Sequence, residues 1–98
     1  MPFKAGKTYN INRIGRVRIS GGTAKNKKLR ATRVRDGKII NFGATGYRIA
    51  PNTARGDQYC SRSRGLNSYG FNANTLSRLH WHCIGAKSKK NMPGVRLL

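Results

Sequence analysis

The sequence has very few acidic residues. Of its 98 residues only Asp36 and Asp57 are acidic, whereas 21 are Lys or Arg, and the formal net charge is +19. General acid–base catalysis and nucleophilic triads usually need a carboxylate that acts on or orients a second group. A body with this charge also repels itself, and an anionic partner stabilises it by neutralising the field. We therefore expect no catalytic residue, and a non-enzymatic protein that binds a polyanion.

Long apolar runs are also missing. No run of about 18 apolar residues is present, so we expect no membrane span. The first ten residues, MPFKAGKTYN, lack the apolar stretch of roughly 7–15 residues that marks a secretory signal. We expect a protein that is made in the cytoplasm and is not secreted. In that compartment Cys60 and Cys83 are expected to be reduced thiols and not a disulfide.

The run near residues 14–19 alternates in polarity. Val17 and Ile19 point to one side of an extended chain, and Arg16 and Arg18 point to the other. This period of two is typical of a strand with one buried face. The pattern predicts a strand whose exposed face is basic.

Residues 29–42 have the pattern of a β-hairpin. Asp36 and Gly37 lie between two β-rich runs, and Asp-Gly is favoured in a two-residue loop that needs positive φ at both positions. With that loop, Val34 would pair with Ile39. One face of the hairpin would then collect Leu29, Ala31, Ile40 and Phe42. A two-stranded ribbon is marginal alone, so we expect the strand near 14–19 to join it.

The second half of the chain predicts two short helices. The first covers residues 53–64, with Asn52 or Thr53 as its N-cap. The second covers residues 75–84, and Asn74 would be its N-cap.

These elements give an α+β fold class. We expect a small antiparallel β-sheet, made of the hairpin 29–42 and the strand near 14–19, followed by one or two short helices, with extended basic N- and C-terminal arms. The expected division is an extended arm over 1–10, a single small domain over 11–86 and a basic tail over 87–98. The tail is expected to be mobile unless Val95, Leu97 and Leu98 dock onto a neighbour.

Residues 79–83 hold both histidines, the single tryptophan and one of the two cysteines. On a helix His80 and Cys83 share a face, but His82 points about 200° away from His80. A zinc ion would need Cys60, His80, Cys83 and a fourth ligand, and the paired short spacings of structural zinc are missing. We expect no metal and no cofactor here. We expect these residues to pack in the core instead of binding a metal. Leu79, Cys83 and Ile84 would lie on the sheet and His80 at its boundary. Trp81 and His82 would lie at its edge or against a partner.

Most of the basic side chains lie in the first 38 residues. Clusters of Lys and Arg on one face of a small protein favour binding to phosphates or acidic protein surfaces. The residues expected to bind such a partner are Arg13, Arg16, Arg18, Lys25, Lys27, Lys28, Arg30, Arg33 and Arg35.

Three segments, taken in order, resemble a known family. Residues 37–47, GKIINFGATGY, resemble its GK-x-apolar-x-FG-x-x-GY stretch, and residues 59–64, YCSRSR, resemble its Y-x-x-R-x-R/K segment. Residues 75–82, TLSRLHWH, resemble its aromatic F-W-S-R-W-x-x-W helix, with Leu76 and Leu79 where the family usually has tryptophan. The family consists of small basic proteins of large double-stranded DNA viruses of algae and protists and of some phages.

The resemblance implies a virus-encoded protein located in the particle. We expect a minor capsid protein that lies between or beneath major capsid subunits, with the acidic surfaces of other capsid proteins as partners and no small-molecule substrate. An alternative is a basic protein packaged with the genome that binds and condenses double-stranded DNA. A ribosomal protein also fits the size and composition, but not the resemblance.

Overall fold

A computed structural model describes residues 3–22, 27–44, 49, 51–64 and 70–98. These residues form an antiparallel sheet and two helices, so the predicted α+β class is confirmed. In chain order the elements are β1 (Thr8–Ile11), β2 (Gly15–Gly21), β3 (Lys27–Arg33), β4 (Ile39–Ala44), α1 (Ala54–Ser63), α2 (Ala73–His80), β5 (Cys83–Ile84), β6 (Lys87–Ser88) and β7 (Val95–Leu97). The main sheet has five strands in the order β4-β3-β2-β1-β7, and β5 and β6 form a separate ribbon.

Strand β2 lies at the centre of the sheet and shows the predicted alternation. Val17 and Ile19 are fully buried, whereas Arg16 and Arg18 are exposed. Because successive side chains of a strand point to opposite faces, the polarity pattern alone orients β2 correctly.

The β3–β4 hairpin has the predicted faces but not the predicted register. Thr32 pairs with Ile39, whereas the sequence predicted Val34 opposite that residue. The loop is longer than two residues: Gly37 N donates to Arg33 O at 2.7 Å. The Arg33 guanidinium also holds Asp36 through two hydrogen bonds of 3.0 and 2.6 Å. A slip of two residues preserves the alternation, so the same side chains still face the core.

The predicted N-terminal arm is wrong for the part that the structure describes. Phe3 is buried, with its ring 4.9 Å from that of Tyr9 and 5.8 Å from that of Phe42. Gly6 N donates to Ile19 O, and Ile19 N donates to Lys7 O, so the chain runs along β2 before β1 begins. The buried Phe3 ring and these backbone hydrogen bonds together hold the segment on the sheet.

The predicted mobile tail over 87–98 is also wrong. Strand β7 pairs with β1, with Val95 opposite Ile11 and Leu97 opposite Tyr9. Asn12 N donates to Gly94 O at 2.8 Å and extends this pairing. The tail becomes an edge strand because β1 offers its backbone groups for pairing, so Val95 and Leu97 dock onto this chain's own sheet.

Both helices begin at side-chain caps. Thr53 accepts a hydrogen bond from Gly56 N, and it is one of the two predicted caps of α1. Helix α2 begins earlier than predicted, because Asn72 and not Asn74 caps it by accepting from Thr75 N at 2.8 Å. Its end is also earlier, since the chain turns at His82 with a φ of 62°. Glycine usually takes this left-handed position, and here a histidine takes it.

The core lies between the sheet and α2. Leu76 of α2 is fully buried, and His80 lies beside the ring of Phe42 at 6.0 Å. Ile84, which was expected to pack on the sheet, is instead 53% exposed in β5. The buried apolar cluster comprises Phe3, Tyr9, Ile11, Ile14, Val17, Ile19, Ala31, Phe42, Phe71 and Leu76.

Candidate polyanion-binding surface

One face of the main sheet has no helix packed on it within the described ranges. Because alternate residues point to opposite faces, the side opposite the core carries Arg16 and Arg18 of β2, Arg30 of β3 and Arg96 of β7. We call this the outer sheet face. Neutral polar residues separate the arginines: Thr8, Asn10, Ser20, Thr32 and Asn41.

The arginines of the outer sheet face lie close together. Arg16 and Arg18 are two residues apart on one strand, which places them about 7 Å apart. Asn10 pairs with both Arg16 and Arg96, so those two arginines are separated by two strand spacings, or roughly 10 Å. Both separations are close to the Debye length, which is about 8–10 Å at moderate salt. The electric fields of the arginines therefore add. The face therefore attracts anions.

Hydrogen bonding orients one of these cations. Arg30 Nε donates to Ser20 Oγ across the β2–β3 pair at 3.1 Å. The remaining N–H groups of a guanidinium bound in this way project from the sheet in a set direction. Arg30 is thus a preorganised donor of the face.

Two apolar side chains lie at the border of the outer sheet face, next to the β3–β4 turn. Val34 follows β3 and is 57% exposed, and Ile39 begins β4 and is 52% exposed. Val34 N donates to Arg16 O, which brings this apolar pair beside the first arginine of β2. The surface is consequently a mixture of arginine, small polar and apolar groups.

The predicted polyanion-binding residues separate into groups. Arg16, Arg18 and Arg30 lie on the outer sheet face, as the alternation implied, and Arg13 and Arg35 are exposed in turns beside it. Lys25 falls outside the described residues. The other three predicted residues, which lie away from the outer sheet face, are Lys27, Lys28 and Arg33.

Arg33 belongs to the core side of the sheet. Its guanidinium carbon lies 5.0 Å from the centre of the Phe71 ring, and its side chain pairs with Asp36. Lys27 and Lys28, at the start of β3, line a cleft between the sheet and the helices. Arg96 was missed, because the sequence placed it in a mobile tail. Its alternation with Val95 and Leu97 was a usable signal.

Both carboxylates of the chain are engaged. Hydrogen bonds from the Arg33 guanidinium, and then from the backbone of Lys38, hold the pKa of Asp36 well below its usual value. The backbone N–H of Ser88 donates to Asp57 at 2.7 Å, and this bond, together with the Ser88 hydroxyl, lowers the pKa of Asp57. Neither Asp36 nor Asp57 lies among the residues of the outer sheet face, so neither aspartate neutralises those arginines.

The two cysteines form a disulfide, which corrects the prediction of reduced thiols. Cys60 is buried on α1, Cys83 begins β5, and their Cα atoms are 5.4 Å apart. Their spacing of 23 residues has no local signature. The fold brings them together because the β5–β6 ribbon packs beside α1.

The candidate zinc ligands do not form a metal site. The sulfurs of Cys60 and Cys83 are bonded to each other, and His80 Nδ1 accepts from Phe3 N at 3.1 Å. In the described ranges no three His, Cys, Asp or Glu side chains are grouped as metal ligands. His82, expected at the sheet edge or against a partner, is instead buried at 1% exposure, with Nδ1 3.0 Å from Lys89 O.

No protein-family profile matches the chain, and neither does a curated protein or a solved structure. Among the described residues, neither helix has the length and apolar character needed to cross a bilayer.

Proposed function

We propose that the protein is a non-enzymatic virion component, a minor capsid protein that binds acidic surfaces between or beneath major capsid subunits. The observation that carries this proposal is the mixed composition of the outer sheet face. Arginines alternate there with small polar residues and end at exposed Val34 and Ile39. A phosphate backbone gains no favourable contact from these two apolar side chains, whereas the centres of protein interfaces combine arginine with apolar groups.

The disulfide supports a particle-bound protein. Disulfides persist in oxidising surroundings, including virion surfaces, and are rare in the reducing cytosol. A Cys60–Cys83 bond therefore suits a protein that functions outside the cell after assembly. The three segments that resemble proteins of large DNA viruses support the same location.

The engagement of both carboxylates supports a non-enzymatic role. Asp36 is paired with Arg33, and Asp57 with Ser88. The cysteine sulfurs are bonded to each other, which leaves neither as a nucleophile. A binding role instead uses the arginines of the outer sheet face.

A second candidate is binding and condensation of double-stranded DNA. The additive field of Arg16, Arg18, Arg30 and Arg96 favours it, because a row of phosphates needs only positive charge. No aromatic residue lies among the paired residues of the outer sheet face, so contacts would be to the duplex backbone and not to stacked bases.

Fractionation of virus particles separates the two candidates. When particles are opened to release DNA, a capsid protein should remain with the shell in about 0.5–1 M salt, whereas a DNA-bound protein should leave with the genome. Departure with the DNA would favour the second candidate. Absence of the chain from purified particles would contradict both.

Substitutions on the outer sheet face test the interface directly. Val34→Thr with Ile39→Thr should weaken retention on shells but leave duplex DNA binding unchanged, because only a protein surface uses these side chains. Ile84→Thr is the matched control, since Ile84 is 53% exposed on the separate β5–β6 ribbon. If Ile84→Thr and the outer-face pair behave alike on shells, the proposed interface is wrong.

A further inference from the structure

A second polar surface lies between the helices and the end of the main sheet. It is a cleft of about 490 Å³, within the range of about 300–1,000 Å³ that is usual for small-molecule sites. Residues from β3, β4, α1 and α2 line it. We call it the helix–sheet cleft. It is distinct from the outer sheet face. The lining residues that indicate the kind of ligand are Lys27, Tyr59, Arg62, Ser77, His80 and Trp81.

Two aromatic rings form one wall of the helix–sheet cleft. The rings of Tyr59 and Trp81 are stacked, with centres 4.5 Å apart and planes 18° from parallel. Burial raises the pKa of the Tyr59 hydroxyl, so that this group stays protonated and polar but uncharged. Both side chains remain partly exposed toward the cleft. A preassembled aromatic pair of this kind favours a planar ring as ligand, since rings gain from offset or edge contacts beyond burial alone.

Cations line the rest of the helix–sheet cleft. Lys27 and Arg62 are exposed at its rim, and Lys28 also contributes to the lining. Neither of the two carboxylates of the chain, both of which are described, is part of the lining. The charge is therefore not neutralised within the site, and an anionic group on the ligand would complete it.

His80 contributes a neutral donor. The backbone N–H of Phe3 can only donate, and it bonds to His80 Nδ1 at 3.1 Å. The proton of the neutral ring is then on Nε2, which makes Nε2 a hydrogen-bond donor. Burial lowers the pKa of His80 to about 4, so the ring is neutral at physiological pH. The Ser77 hydroxyl, which is hydrogen-bonded to the Tyr59 hydroxyl, adds a second neutral polar group beside the aromatic wall.

We propose that the helix–sheet cleft binds a nucleotide, with the base against the Tyr59–Trp81 wall and the phosphate against Lys27 and Arg62. A simple phosphate would use the cations but not the aromatic wall, and an apolar ligand would leave the cations unmatched. The nucleotide comes either as a free mononucleotide or as part of a single strand. The sequence predicted no small-molecule ligand, because four separate elements build this cleft and no local motif announces it. The inference does not depend on the capsid role.

Trp81 is the single tryptophan of the chain, and its fluorescence reports on the cleft directly. Adenosine monophosphate should quench its emission saturably, adenosine should bind at least about tenfold more weakly, and inorganic phosphate should displace the nucleotide only at high concentration. A short single-stranded oligonucleotide that competes better than adenosine monophosphate assigns the site to a strand, and poorer competition assigns it to the free nucleotide. No saturable quenching by either ligand would overturn the proposal.

Matched variants locate the binding. Arg62→Gln and Lys27→Gln should each weaken adenosine monophosphate binding about five- to tenfold, since each removes one phosphate contact. Arg64→Gln and Lys38→Gln change the charge equally at exposed positions outside the lining and should leave binding unchanged. Equal effects of Arg62→Gln and Arg64→Gln would show non-specific charge attraction and contradict a built site.

The double variant Arg16→Gln/Arg18→Gln separates this inference from the proposed function. It removes charge from the outer sheet face and none from the cleft. It should weaken association with shells and leave the quenching of Trp81 intact. Loss of both would show that the two surfaces are one site and would overturn the inference.

Discussion

Arg78 is a buried cation held by neutral groups. It is 8% exposed, and its Nη1 donates to Cys60 O and Ser63 Oγ at 2.7 Å each, while Nη2 donates to Gly85 O at 2.7 Å. Burial lowers the pKa of the guanidinium, which still stays charged. These bonds tie α2 to the end of α1 and to the β5–β6 turn. The side chain therefore takes a structural role and is not part of the polyanion-binding surface.

Arg78→Lys should destabilise the protein by about 1–3 kcal/mol. A lysine ammonium keeps the charge but lacks the planar fork that reaches acceptors on both sides, so at least one carbonyl is left without a donor. Urea unfolding measures the change. The control is Arg55→Lys on the exposed side of α1, which should stay within about 0.5 kcal/mol. Equal stability of Arg78→Lys and the parent protein would contradict this role.

His80 makes stability depend on pH. Burial, and then the neighbouring charges of His82 and Lys28, lower its pKa from 6.5 to about 4. Between pH 6.5 and about 4, His80 is protonated in the unfolded chain but neutral in the folded chain. The free energy of unfolding therefore falls as the pH drops through this range. Asp36 and Asp57, with lowered pKa values, contribute stability that is lost only below their unfolded value of 3.8.

His80→Asn should flatten this pH dependence. The asparagine oxygen can accept from Phe3 N in place of Nδ1 but carries no titrating group in this range. Urea midpoints at neutral pH and near pH 4.5 measure the slope in both proteins. An unchanged slope in the variant would contradict the assignment to His80.

At the scale of the element, the β3–β4 turn depends on one left-handed residue. Gly37 has a φ of 72°, and nothing lies within 4 Å of where a Cβ would sit. Gly37→Ala should therefore cost about 1 kcal/mol through backbone strain alone. Gly21→Ala is the matched control, because Gly21 has equal space and no positive φ, so thermal unfolding should show no loss there. Equal losses would contradict the strain argument.

The disulfide ties α1 to the β5–β6 ribbon. It closes a loop of 23 residues, and the chain-entropy model gives such a loop a stabilisation of roughly 3 kcal/mol. Chemical reduction should lower the urea midpoint accordingly. The variant with Cys60→Ser and Cys83→Ser should start at the lower midpoint and be insensitive to reductant. A parent protein equally stable before and after reduction would contradict the pairing.

At the scale of the whole molecule, net charge opposes folding. The chain has a formal charge of +19 and only two acidic side chains. Its positive charges lie closer together in the folded state than in the unfolded state, so their mutual repulsion destabilises the fold. The melting temperature should therefore rise by several degrees between about 10 mM and about 0.5 M sodium chloride. Arg16→Gln/Arg18→Gln should show a shallower rise. A melting temperature that falls with salt would mean that internal ion pairs outweigh repulsion.

The sequence predicted those features that depend on neighbours in the chain. The alternation of Val17 and Ile19 with Arg16 and Arg18 was sufficient for the faces of β2, because strand geometry itself separates them. Thr53 was one of the two caps named for α1, since capping needs only a side chain three residues before its donor. The register of the hairpin was wrong, because the Arg33–Asp36 pair enlarged the loop.

The sequence by itself determined the charge, the α+β class and the basic face of β2, because composition and short periodicities set these without reference to distant residues. Only the tertiary structure decided that Phe3 packs against His80, 77 residues away, that β7 pairs with β1, and that the two cysteines join. Each depends on backbone groups or side chains that become neighbours only when the chain closes on itself. For the same reason the helix–sheet cleft, assembled from separate elements, has no motif in the sequence.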